Sequence, residues 1–131
     1  MKKKYDIFIS CSTENSQEVN DWIDGFKFII SHHLTKILKR KPEIITSIDI
    51  ATDKNFSEIA PVDVFSDTAV FITIINDQYT SSGRSAQELA TILSSISKSD
   101  DQAGSERIAK VLIEDISQNK QPEHLRFLRP F

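Results

Sequence analysis

Residues Ala69–Ile75 read AVFITII, seven positions of which only Thr73 is polar. The run is short and rich in β-branched and aromatic side chains. It ends at Asn76–Gly83, a stretch of Asn, Asp, Ser and Gly that reads as a loop. A strand facing water on one side alternates apolar and polar residues; an unbroken apolar run needs cover on both faces. Tyr5–Ser10 (YDIFIS) is a second run of this kind. Outward from these two, the spacing turns helical. Val19, Trp22, Ile23, Phe26, Ile29, Ile30, His33, Leu34, Ile37 and Leu38 keep one face apolar as far as Arg40. Asn15 is placed to cap that helix, with Glu18 three residues on, and Pro42 stops it. Ser85–Ser97 carries Ala86, Leu89, Ile92, Leu93 and Ile96 on one face and reads as another helix. Thr46–Ile50 reads as a short second strand, Val62–Ser66 as a short helix and Ile108–Ile113 as a further strand. Ala51–Pro61, with Asp53, Lys54 and Phe56, is a polar loop. This alternation predicts an α/β fold, a central parallel sheet in the order 2-1-3-4-5 with helices on both faces.

The chain has 131 residues, 39% of them hydrophobic and 27% charged, which fits one globular domain over residues 1–131. No apolar run approaches the ~20 residues a membrane helix needs. One cysteine, Cys11, leaves no internal disulfide and suits a reducing, cytoplasmic setting. Gly25, Gly83 and Gly104 lie far apart, so neither GxGxxG nor a P-loop is present. His32, His33 and His124 form no HExxH, and no metal is expected. Charge is uneven: residues 1–41 carry net +3, residues 42–101 net −7 and residues 102–131 net +1. Lys36, Lys39, Arg40 and Lys41 sit where cations offset a helix dipole, which argues against direct nucleic-acid binding. The segment asymmetry favours head-to-tail self-association. The apolar end (Leu125, Phe127, Leu128 and Phe131) reads as a cut from a longer chain.

In a 2-1-3-4-5 sheet the ligand crevice lies beyond the carboxyl ends of strands one and three. Cys11–Ser16 and Asn76–Glu88 are then expected to face one cleft. Glu88 lies near the edge of its helix's apolar stripe and can point along that cleft. The alternative is local, since Ser85-Ala86-Gln87-Glu88 matches the S-x-x-E capping box, in which Glu88 caps its own helix.

These residues, taken together, resemble a bacterial TIR (Toll/interleukin receptor) domain. YDIFIS is similar to the family's first box, and Asp21-Trp22-Ile23 followed by Phe26 to the start of its first helix. Ser66 before Ala69–Ile75, then Tyr79 through Leu89, resembles the stretch Y-x-x-S-x-W-C-x-x-E-L. Arg84 and Ser85 stand where the family often has Trp and Cys, and Ala51–Pro61 lacks its usual glycine. The resemblance implies a flavodoxin-like fold whose final strand and helix are incomplete here.

It also implies NAD⁺ cleavage at the nicotinamide–ribose bond, with Glu88 as the catalytic carboxylate steadying an oxocarbenium-like ribose. NAD⁺ is then the substrate, with no further cofactor. Ser10, Cys11 and Ser12 are expected on one side of the cleft and Ser82 on the other. Phe56 is expected to stack on nicotinamide, with Asp53 or Lys54 adding polar contacts. Phe56 as a local core plug and Ser82 as a cap are the structural alternatives. Cys11 has no histidine placed to activate it and reads as a packed or cleft-lining thiol. The implied setting is antiviral defence: a module fused to a sensor domain, switched on by assembly with other copies of itself, partly through Ala51–Pro61. The competing reading is a non-catalytic adaptor that only binds other TIR domains. A receiver or flavodoxin is disfavoured, because Cys11-Ser12-Thr13 supplies neither an acidic cluster nor a phosphate loop.

Overall fold

The computed structural model describes residues 4–52, 59–99 and 107–113. In chain order the elements are β1 (Tyr5–Ser10), α1 (Gln17–Leu38), β2 (Ile44–Thr46), α2 (Ser47–Thr52), α3 (Pro61–Ser66), β3 (Thr68–Ile75), α4 (Asp77–Ser81), α5 (Gly83–Ser99) and β4 (Ile108–Leu112). The strands form one all-parallel sheet in the order β2-β1-β3-β4. The expected α/β fold holds, with four strands rather than five among the described residues. The expected tail, Gln118–Phe131, lies outside them, as do Asp53, Lys54 and Phe56.

Two cores flank the sheet, which makes three layers. On one face Phe8, Phe71 and Ile75 pack with Val64 and Phe65 of α3, Tyr79 of α4, and Leu89, Ile92 and Ile96 of α5. Phe8 and Phe65 meet edge-on at 4.9 Å between ring centroids, and each packs edge-on against Phe71. Such aromatic pairs add about 0.5–1.5 kcal/mol each beyond their burial. On the other face Ile7, Ile9 and Ile74 pack with Ile23 of α1, with Val19, Phe26, Ile30 and Leu34 around them. The apolar runs at β1 and β3 thus supply both faces at once.

Several local expectations are corrected. Ser16, not Asn15, caps α1, accepting from the Val19 amide at 3.4 Å. Asn15 is engaged elsewhere, donating to the Ser12 carbonyl and accepting from Asn76. Lys39 ends α1 in the left-handed region, φ 61°. The second strand lies earlier than expected, and residues 47–50 are helical. The reason is a reciprocal cap: the Thr46 amide donates to Asp49 Oδ2 at 2.9 Å, and the Asp49 amide donates to Thr46 Oγ1 at 3.1 Å. Residues 77–81 form a short helix where a loop was expected, because Asn76 caps it through the Tyr79 amide. Trp22, placed on the apolar face of α1 by its spacing, is 43% exposed and stacks on half-buried Phe26 at 5.3 Å.

Register sets up the site. Ile9 lies beside Thr46, and Ser10 beside Thr73. The residues that follow β2 therefore emerge next to the end of β1.

Candidate active site

Ser10 is the last residue of β1 and shares the parity of Phe8, so its side chain faces the α5 layer. Ser47 is the first residue of α2, delivered there by the Thr46–Asp49 cap. Glu88 stands in the second turn of α5. All three meet. Ser10 Oγ donates to Glu88 Oε1 at 2.8 Å, and Ser47 Oγ donates to the same oxygen at 2.5 Å. Behind Ser10 lies the Tyr79 hydroxyl at 2.9 Å; with the Ser10 proton committed to Glu88, Tyr79 is the donor. Behind Ser47 lies the Cys11 amide, donating to Ser47 Oγ at 3.0 Å. Two short relays of donors thus converge on one carboxylate oxygen. Among the described residues no hydrogen bond is formed to Oε2.

The local capping role for Glu88 is excluded by this geometry. The cap of α5 is Ser82, three residues before the Ser85 of the expected box, and its Oγ accepts from the Ser85 amide at 3.2 Å. Glu88 instead reaches across to β1 and α2. Burial is the main influence on its carboxyl and pushes its pKa above the ordinary value. The hydroxyls of Ser47 and Ser10, and then the nearby Arg84 charge, pull in the opposite direction. Burial likewise raises the Tyr79 hydroxyl, which keeps it a neutral donor.

A hollow of about 200 Å³ adjoins Glu88, lined also by Ile50, Pro61, Phe65, Arg84, Gln87 and Thr91. It opens between α2, α3 and α5. The expected cleft between the loops after β1 and β3 is instead bridged by the 3.0 Å hydrogen bond from Asn76 to Asn15. Ser10, Cys11, Ser12 and Ser82 are not among the lining residues. Ser10 and Ser12 are fully buried, and Ser12 Oγ accepts from the Glu14 amide. The Cys11 thiol packs in the α1-side core, and burial pushes it up to about 11, which makes it a poor nucleophile. Among the described residues no group of three or more His, Cys, Asp or Glu is placed to hold a metal ion. No helix there is long and apolar enough to cross a membrane.

Ser47 is the site residue that sequence reading missed. Its signal was the Thr46-Ser47-Ile48-Asp49 pattern, a T-x-x-D cap that moves the strand boundary back and places Ser47 at a helix start. Tyr79 was read only as part of a loop motif. Its position on the buried side of α4 follows from the Asn76 cap.

No protein-family model matches the chain, and no curated protein is significantly similar to it.

Proposed function

We propose that the chain is a TIR-type module that hydrolyses NAD⁺ to nicotinamide and ADP-ribose, with Glu88 as the catalytic carboxylate. The observation that carries this reading is the held Glu88: half-buried, gripped at Oε1 by two serine hydroxyls, Oε2 left over, and a hollow beside it. The bond that breaks joins the ribose anomeric carbon to the pyridinium nitrogen. Its electron pair leaves with nicotinamide, which becomes neutral, and positive charge develops on the ribose. A fixed carboxylate in a partly desolvated site stabilises that charge without reorganising. Water then adds to the anomeric carbon and releases a proton. Ser10 and Ser47 act through Glu88 as positioning residues. The exposed guanidinium of Arg84 lines the same hollow and supplies a positive charge for the pyrophosphate. At about 200 Å³ the hollow takes the nicotinamide-riboside end rather than the whole dinucleotide.

The same small volume favours one alternative, a non-catalytic TIR–TIR adaptor. Nicotinamide release decides between them. The concentrated chain incubated with NAD⁺ is expected to liberate free nicotinamide, measured by chromatography. Glu88→Ala is expected to lower the rate by at least ~10³-fold. Absence of release from the unaltered chain, even under crowding that forces association, would leave the adaptor reading.

A further inference from the structure

Helix α1 carries more apolar surface than its own fold uses. Its inward face, built on Ile23, Ile30 and Leu34, packs on the sheet. At about 100° per residue, the opposite face presents Asp21, Gly25, Phe28, His32 and Lys36, with Ile29 at its edge. Each of these is exposed, Phe28 at 73% and Ile29 at 57%. Gly25 is the second anomaly. It sits inside a 22-residue helix, where glycine is a poor choice. Its φ is not positive, and a Cβ built on it would meet nothing within 4 Å. Among the described residues no contact calls for its small size. A close approach from outside does.

We infer that the outward face of α1 is a two-fold interface between copies of this chain, the helices running antiparallel with the axis beside Phe28 and Ile29. That arrangement buries the exposed Phe28–Ile29 pair at the centre. It lays the bare backbone at Gly25 near the partner helix's His32. It also sets the acidic first half (Glu18, Asp21 and Asp24) against the basic second half (Lys36 and Lys39) of the other copy. The charge order by itself is what a helix dipole favours. Gly25 and the Phe28–Ile29 pair have no such cause among the described residues, and the charges make the pairing self-complementary. A single helix pair is smaller than a standard interface, so the dimer is weak and concentration-dependent.

This inference names the surface for the self-association in the functional proposal, but it does not depend on chemistry at Glu88. Sedimentation equilibrium reads it separately from nicotinamide release. The mass of the unaltered chain is expected to rise with concentration from 14.9 kDa toward twice that value. The pair Glu18→Lys and Asp21→Lys, and the pair Lys36→Glu and Lys39→Glu, are each expected to weaken self-association by ~10-fold or more. Mixing the two variants is expected to restore a dimer, as is combining all four changes. Gly25→Leu is expected to be monomeric while its helix melts no lower. Association that persists in Gly25→Leu, or charge variants that fail to rescue each other, would overturn the assignment. So would a strictly monomeric unaltered chain. An inactive but dimerising chain would sink the functional proposal and leave this one standing.

Discussion

Glu88 is held between two opposing influences, and its behaviour with pH follows from their balance. Burial favours the neutral acid; the hydroxyls of Ser47 and Ser10 favour the carboxylate, and burial prevails. The folded chain therefore keeps a proton over a range in which the unfolded chain has released it. Stability is greatest below the ordinary value of 4.5, declines as pH rises through the raised value, and stays lower above it. Glu88→Gln keeps an oxygen for the two serines and carries no charge. Its melting temperature is expected to exceed that of the unaltered chain at pH 7, corresponding to about 1 kcal/mol, with the gap closing below pH 4.5. In the proposed reaction the carboxylate must be ionised, so the rate falls as pH drops through the raised value. Ser47→Ala removes a donor that holds that value down. Profiles of kcat/KM against pH are expected to show the acid limb displaced to higher pH, with the neutral rate lower by roughly tenfold. An unmoved acid limb would deny Ser47 any influence on Glu88. Cys11 shows the contrasting outcome: its buried thiol is neutral and packed, and its contribution to the site is a backbone amide.

At the scale of elements, short caps decide where side chains arrive. The Thr46–Asp49 reciprocal cap turns the chain from β2 into α2 within one residue and so delivers Ser47 to Ser10 and Glu88. Asp49→Ala is expected to cost about 1 kcal/mol in urea unfolding. Part of that loss comes from its 3.7 Å pairing with Lys27, which is exposed enough to contribute little. A stability unchanged by Asp49→Ala would show that α2 is held by packing alone. The Asn76 cap does the same for α4, setting Tyr79 behind Ser10. These elements were hard to read because their patterns are brief. Six residues of α2 and five of α4 give no hydrophobic period, whereas the long runs of β1, β3, α1 and α5 do. Even in α1, periodicity put Trp22, Ile29 and Ile37 on the apolar face, and all three are substantially exposed. A pattern of apolar spacing identifies a helix, but the width of the face that is buried depends on what packs against it.

For the whole molecule, alternation of apolar strands and amphipathic helices was enough to dictate a parallel sheet covered on both sides. Backbone groups of continuous apolar strands pair only within a sheet, and right-handed crossovers leave few alternatives. Glu88 was legible as a candidate because its spacing from the third strand placed it near the sheet's carboxyl edge. The sequence left its role open between a cap and a cleft carboxylate. Tertiary structure excluded the cap, because the partners of Glu88 are 78 and 41 residues away in the chain. The hollow, too, was a tertiary decision: its lining comes from α2, α3 and α5, which are far apart in the chain, while a side-chain bridge from Asn76 to Asn15 ties the loops after β1 and β3 together. Local chemistry specifies helices, strands and caps, since those depend on neighbours along the chain. Which hydroxyl reaches which carboxylate depends on strand register and helix placement, and these exist only once the layers have packed.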